Sequence, residues 1–126
     1  MKKEFFAGIL LAAIITAAFI NIRCLSRLIS DITYLIDSSV ESIESGDWLG
    51  AIDKTEDAAE IWLRSDSYTH IVLKHSEINT ATQALYGLLS GLYSENRGEA
   101  LGAAKLTSEF FKSLVSIERI RFGSIF

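Results

Sequence analysis

Between Glu4 and Arg23 the chain carries no charge, and beyond Arg23 its apolar residues are spaced rather than continuous. Residues 5–22 span about 27 Å at helical rise, enough to cross a hydrocarbon core of about 30 Å when flanking side chains reach outward. The segment is expected to be one transmembrane helix. A cleaved leader is the rival, with Thr16, Ala17 and Ala18 near a cleavage point, but the apolar run continues through Phe19, Ile20 and Ile22. The stripe then goes on without a loop signal: Leu25, Leu28, Ile29, Ile32, Leu35, Ile36, Val40 and Ile43 recur at spacings of three and four, the period of one helical face. An uninterrupted first helix is predicted over residues 4–45. Ser45-Gly46-Asp47 ends it, because glycine takes the left-handed backbone at a helix end and the aspartate side chain caps the next helix.

The second predicted helix, residues 48–65, lines Trp48, Ala51, Ile52, Thr55, Ala58, Ala59, Trp62 and Leu63 along one face and sets Asp53, Glu56, Asp57 and Glu60 on the other as a solvated surface. Ser65, Asp66 and Ser67 form the next corner. A third helix over 67–93 has a seam of Ile71, His75, Ile78, Thr82, Leu85, Leu89 and Leu92, alternating steps of four and three, which places His75 in the core. Ser94-Glu95-Asn96 breaks the pattern. A fourth helix over 97–120 turns Ala100, Leu101, Ala104, Phe111, Leu114 and Val115 inward and carries Phe110, Ile117 and Ile120 on a second face.

An internal repeat appears at an offset of 49 residues. Gly46-Asp47-Trp48 lies over Glu95-Asn96-Arg97, Ala51 over Ala100, Ile52 over Leu101 and Trp62 over Phe111. The period is too long for repeats of about 34 residues and suits two stacked helical hairpins. The expected fold is therefore all-α, with an N-terminal transmembrane helix continuous with an antiparallel four-helix bundle. Residues 1–23 are the tail and anchor, and residues 24–126 the bundle.

Composition narrows the function. The chain has no proline to break long helices, and its single cysteine, Cys24, has no intramolecular partner for a disulfide or a paired-cysteine metal site. Lys2 and Lys3 before the apolar run nearly balance Arg23 and Arg27 after it. The short dibasic tail still resembles a signal anchor, so a plasma-membrane protein is expected, with its N-terminus cytoplasmic and residues 24–126 extracytoplasmic. Residues 31–66 hold ten acids against Lys54 and Arg64, which repels nucleic acid and excludes it as a partner.

Candidate chemistry is sparse. His70 and His75, five residues apart on one predicted helix, point away from each other, and His75 with Glu77 is half of a site at most. Gly87 and Gly91 suggest the close approach of another helix. There is no nucleophile elbow, phosphate-binding glycine loop, paired-histidine zinc motif or C-x-x-C, so neither an enzyme nor a bound cofactor or metal is expected. Trp48, Trp62, His75, Glu77, Phe110, Ile117 and Phe126 are the candidate partner or ligand surface. The terminal Ile125-Phe126 either folds back on the bundle or docks into a partner.

The lysine-led apolar segment, SIESGDWLGAIDKTEDAAEIWL, KHSEI and the terminal IERIRFGSIF together resemble the domain of unknown function 4363 family, over nearly the whole chain. The sharpest points are Asp47-Trp48, Ala51, Trp62, His75 with Glu77, and Ile125-Phe126, while Ser124 stands where the family commonly has asparagine. The resemblance implies a short membrane-anchored protein of Gram-positive, clostridia-type bacteria and supplies no activity, cofactor or catalytic residue. The expected role is a membrane-anchored structural or interaction module of the cell envelope that binds an envelope protein or itself. The alternative is an extracytoplasmic sensor or small-ligand-binding bundle, in which a small molecule, proton or cation is read at His75 and the acidic second helix.

Overall fold

The computed structural model describes residues 1–125, and of Phe122 and Ile125 the backbone alone. Five helices follow in order: α1 (Lys2–Glu44), α2 (Trp48–Arg64), α3 (Asp66–Val72), α4 (His75–Tyr93) and α5 (Arg97–Ile125). The chain is all-α, as its periodicity predicts. The spaced stripe of α1 becomes core, with Leu25, Ile29, Ile32, Ile36 and Ile43 buried, while residues 1–17 stand bare of any neighbour. One helix thus has an exposed apolar part and a part that is built into the core.

The bundled part of α1 lies against α2 and α5, and α4 closes the ring against the same two helices. α1 and α4 run away from the bare apolar segment, while α2 and α5 return. Polar ties lock the neighbours: Lys54 Nζ donates to Ser42 Oγ at 2.9 Å between α2 and α1, and Ser108 Oγ to Asp37 Oδ1 at 3.1 Å between α5 and α1. The end beside the apolar segment is called the foot below, and the end bearing the two tight corners the crown.

The 49-residue repeat is a structural repeat. Ser45 and Ser94 close their helices in the right-handed conformation, and the next residues, Gly46 and Glu95, both take positive φ, at 79° and 55°. Asp47 Oδ1 then accepts from the Gly50 amide at 3.0 Å and Asn96 Oδ1 from the Glu99 amide at 3.1 Å, satisfying one orphan donor at each helix start. Ile29, Ile32, Ile36 and Ile43 of α1 correspond to Ile78, Ala81, Leu85 and Leu92 of α4, and all eight are buried. Ala51 and Ala100 are both sealed beside the corners. At the other end of the hairpins the matched aromatics touch: the rings of Trp62 and Phe111 meet edge to face at 5.1 Å and 83°.

The predicted helix over 67–93 is two helices. Leu73 and Lys74 are extended, with φ/ψ of −114°/155° and −69°/146°. Two causes act together. Glu77 Oε2 accepts from the Lys74 amide at 3.1 Å, so the carboxylate three residues into α4 caps a helix that starts afresh, and the Leu73 side chain turns into the core. The break shifts the register before it. Ile71 is 83% exposed and His75 is exposed, so the predicted seam holds only from Ile78 onward, where Ile78, Leu85 and Leu92 are buried. His75 is not a core residue. The last helix also runs past its predicted end at 120 to Ile125.

Candidate functional site

Three segments meet at the foot: α1 around residues 21–27, the α3–α4 junction, and the last turns of α5. The rigid corner at 73–74 determines what α3 and α4 present there. Tyr68, on α3, reaches across to α1, its Oη lying 2.9 Å from the Asn21 carbonyl oxygen and 2.8 Å from Asn21 Oδ1. Burial, with smaller contributions from Cys24 and Glu118, pushes the phenol pKa up and keeps it a donor.

Behind Tyr68, Arg121 of α5 bridges two carboxylates. Its Nη2 donates to Glu77 Oε1 at 2.8 Å and its Nη1 to Glu118 Oε1 at 2.5 Å. Both acids are largely covered, with side chains 14% and 13% exposed. Burial raises the Glu118 pKa, and the Glu77 charge adds to the rise, against the opposing pull of Arg121 and Lys74. One guanidinium shared by two acids gives each a charge-assisted partner and leaves the trio one formal negative charge in excess when both acids are ionised.

The junction also changes the histidines. His70 Nδ1 sits 2.8 Å from the Asp66 carbonyl oxygen and 2.9 Å from its carboxylate. Because the helix breaks between them, the rings of His70 and His75 come to a centroid distance of 6.0 Å, tilted at 52°, where a continuous helix would turn them apart. Among the described residues, no group of three or more histidine, cysteine, aspartate or glutamate side chains is placed to hold a metal ion.

The candidate surface residues therefore separate. His75 and Glu77 lie at the foot, with half-buried Ile117 on the α5 turn before Glu118. Trp62 is 2% exposed, its Nε1 donating to Thr82 Oγ1 at 3.0 Å, so it is a core residue and offers no surface. Trp48 is half-buried at the crown, and Phe110 packs partly against the core beside Phe111. Phe126 lies outside the described residues.

Asn21, Tyr68, Glu118 and Arg121 were not singled out by sequence reasoning, since no spacing rule links residues 44 or 47 positions apart.

Charge is segregated along the bundle. The foot, residues 23–27, 64–77 and 115–125, carries Arg23, Arg27, Arg64, Lys74, Arg119 and Arg121 against Asp66, Glu77 and Glu118, a formal +3. Residues 28–63 and 78–114 carry four bases and twelve acids, a formal −8. Two clefts open where α1 meets α5. The first, of about 400 Å³, is lined by Phe19, Ile22, Arg23, Ser26 and Arg119. The second, of about 300 Å³, shares Ser26 and Arg119 and continues past Thr33 and Lys112.

Residues 19–125 match the family described as a domain of unknown function (DUF4363), a span that begins within the apolar segment and includes the whole bundle. Neither the characterised proteins nor the solved structures contain a match to the chain. The family match covers well over half of the sequence, and the chain belongs to the DUF4363 family.

Proposed function

We propose that this protein is a single-pass, membrane-anchored interaction module of the cell envelope, which holds a stiff helical bundle against the membrane and presents it to an envelope protein or to a second copy, without catalysis of its own. In this reading the N-terminus is cytoplasmic and the bundle extracytoplasmic. The observation that carries it is the continuity of α1. Its N-terminal part is long and apolar enough to cross a membrane and is not buried, and the same helix then supplies one wall of the core. An apolar surface of that length left bare in water is unfavourable by about 25 cal/mol per Å², whereas a bilayer covers it.

The contact surface proposed for the partner is on α5 and α4. Leu106 and Ile120 are exposed, Phe110 and Ile117 are half-covered, and Tyr86 of α4 is also exposed. Glu77, Glu118 and Arg121 at the foot are engaged with one another, which supports a binding rather than a chemical role.

Photo-crosslinkers placed at Leu106 and Phe110 of the full-length protein in cells test this. A discrete adduct with one envelope protein, or a dimer adduct, is the expected result. Adducts with neither remove the interaction reading. Sidedness is read separately by labelling Leu49→Cys in a Cys24→Ser background with an impermeant maleimide on intact cells. Protection of that thiol until the cells are opened would reverse the topology.

A further inference from the structure

We infer that the cleft between α1 and α5 at the foot seats the headgroup of an anionic phospholipid, with Arg23 and Arg119 binding its phosphate. The inference rests on the membrane-anchor reading and adds a ligand class to it.

Depth is the first argument. If the hydrocarbon core ends near Ile22, the headgroup layer, about 5–7 Å thick on each side, contains residues 23–27 at helical rise. Arg23 and Ser26 then lie at phosphate level. Arg119 lines the same cleft and is therefore held at the same height by α5.

The lining matches an amphiphile. Phe19 and Ile22 form the side nearest the membrane interior, and two guanidinium groups with the Ser26 hydroxyl form the side facing water. Guanidinium groups bind phosphate oxygens through paired, charge-assisted hydrogen bonds. A volume of about 400 Å³ accommodates a glycerophosphate group, and the neighbouring cleft past Thr33 and Lys112 leaves room for a headgroup substituent.

Charge accounting selects the anionic class. Among the described residues, Arg121 is engaged by Glu77 and Glu118 and Lys112 by Asp37, whereas Arg23, Arg27 and Arg119 make no ion pair. These exposed guanidinium groups are therefore open to an external anion. A zwitterionic headgroup would also bring a cationic ammonium, and among the described residues no carboxylate lines either cleft to receive it. An anionic lipid leaves no such group unmatched. The −8 remainder of the bundle, pointing away from the membrane, is repelled by the same lipids and favours the foot-down orientation.

The test uses the full-length protein in phosphatidylcholine vesicles with and without phosphatidylglycerol, and reads the relative association of spin-labelled phosphatidylglycerol and phosphatidylcholine. The expected result is a preference for the anionic lipid of at least about tenfold, falling to near parity in R23Q/R119Q and kept in R97Q/K105Q, which removes equal charge from the crown and from mid-α5. Parity in the unmodified protein overturns the site. So does a preference that survives R23Q/R119Q, or one that R97Q/K105Q abolishes equally. Displacement of the lipid by millimolar inorganic phosphate would assign the cleft to a soluble anion instead. Resistance to alkaline carbonate extraction separates the two readings: a chain that washes off fails the anchor and the lipid site together, while a chain that stays inserted and shows parity loses the lipid site alone. Both substituted pairs are surface residues, and unchanged helicity by circular dichroism confirms that each variant is folded.

Discussion

The two crown corners have the same backbone and different residues. Gly46 and Glu95 both sit at positive φ, where glycine is at ease and a side chain is strained by about 1–2 kcal/mol. Asp47 and Asn96 then make equivalent caps. The comparison shows that the corner geometry is imposed by the capping pattern and by the packing of the helices it joins, strongly enough to hold a glutamate where a glycine belongs. Farther down the hairpins the correspondence is looser. Thr55 is fully buried with its hydroxyl unpartnered among the described residues, whereas its counterpart Ala104 fills the same layer with nothing polar to satisfy.

The largest disruption of the symmetry comes from the aromatic pair. Trp62→Ala and Phe111→Ala should each lower the unfolding free energy of the full-length protein in detergent by about 3–5 kcal/mol, because each empties one side of the same contact. The double variant should cost less than the sum of the two, and additivity in urea titrations would show that the two halves do not pack through this pair.

The corners come next. Glu95→Gly should stabilise by about 1 kcal/mol by relieving the positive φ, and Gly46→Ala should destabilise by a similar amount, so that the two substitutions shift the denaturation midpoint in opposite directions. Equal signs would mean that the corners are not equivalent. Thr55→Val keeps the shape of the residue and drops the unpartnered hydroxyl, making the first half more like the second. It should raise stability by roughly 1 kcal/mol, measured by the same titration.

The smallest effect belongs to pH. At the 49-residue offset Glu118 corresponds to Thr69, a neutral buried residue, so only the second half titrates at this level. The Glu118 pKa is raised in the folded state, mainly by burial, so the folded protein binds this proton more tightly than the unfolded chain. Its contribution is therefore fully present below the unfolded value of 4.5 and is lost as pH rises through the folded value. The difference in unfolding midpoint between the unmodified protein and Glu118→Gln should change across that window, with Glu118→Gln losing less stability as pH rises. A difference independent of pH would show that Arg121 fully compensates the burial.

Much of the fold could be read from the chain because its signals are local. Ser-Gly-Asp and Ser-Glu-Asn announce both corners, and the match of Trp62 with Phe111 locates the layer where the hairpins meet. The break at Leu73-Lys74 has neither glycine nor proline. Its causes are a cap by Glu77 and the pull of Leu73 into a core formed by other helices, so the periodicity of Ile71 and His75 reads as a continuous seam. The error about His75 follows from that single junction. Trp62 is assigned to a partner surface because an aromatic at a helix face looks the same whether its neighbour is Phe111 or another protein. Arg121 between Glu77 and Glu118, and the cleft shared by Arg23 and Arg119, depend on which helices lie side by side at the foot, which no spacing along the chain specifies.

The absence of any joint in α1 also fixes distances outside the molecule. From Ile22 to Glu44 the helix rises about 33 Å at 1.5 Å per residue, so in the membrane-anchored reading proposed above the crown would stand at a set height above the bilayer. A tilt of about 20°, ordinary for a membrane helix, would carry the crown sideways by roughly 11 Å, because the bundle cannot swing independently of its stem. On that proposal the protein would act as a gauge post: changes in bilayer thickness or in lateral crowding at the stem would appear as displacements of the acidic crown, and only a partner whose own docking face lies at that altitude could reach it.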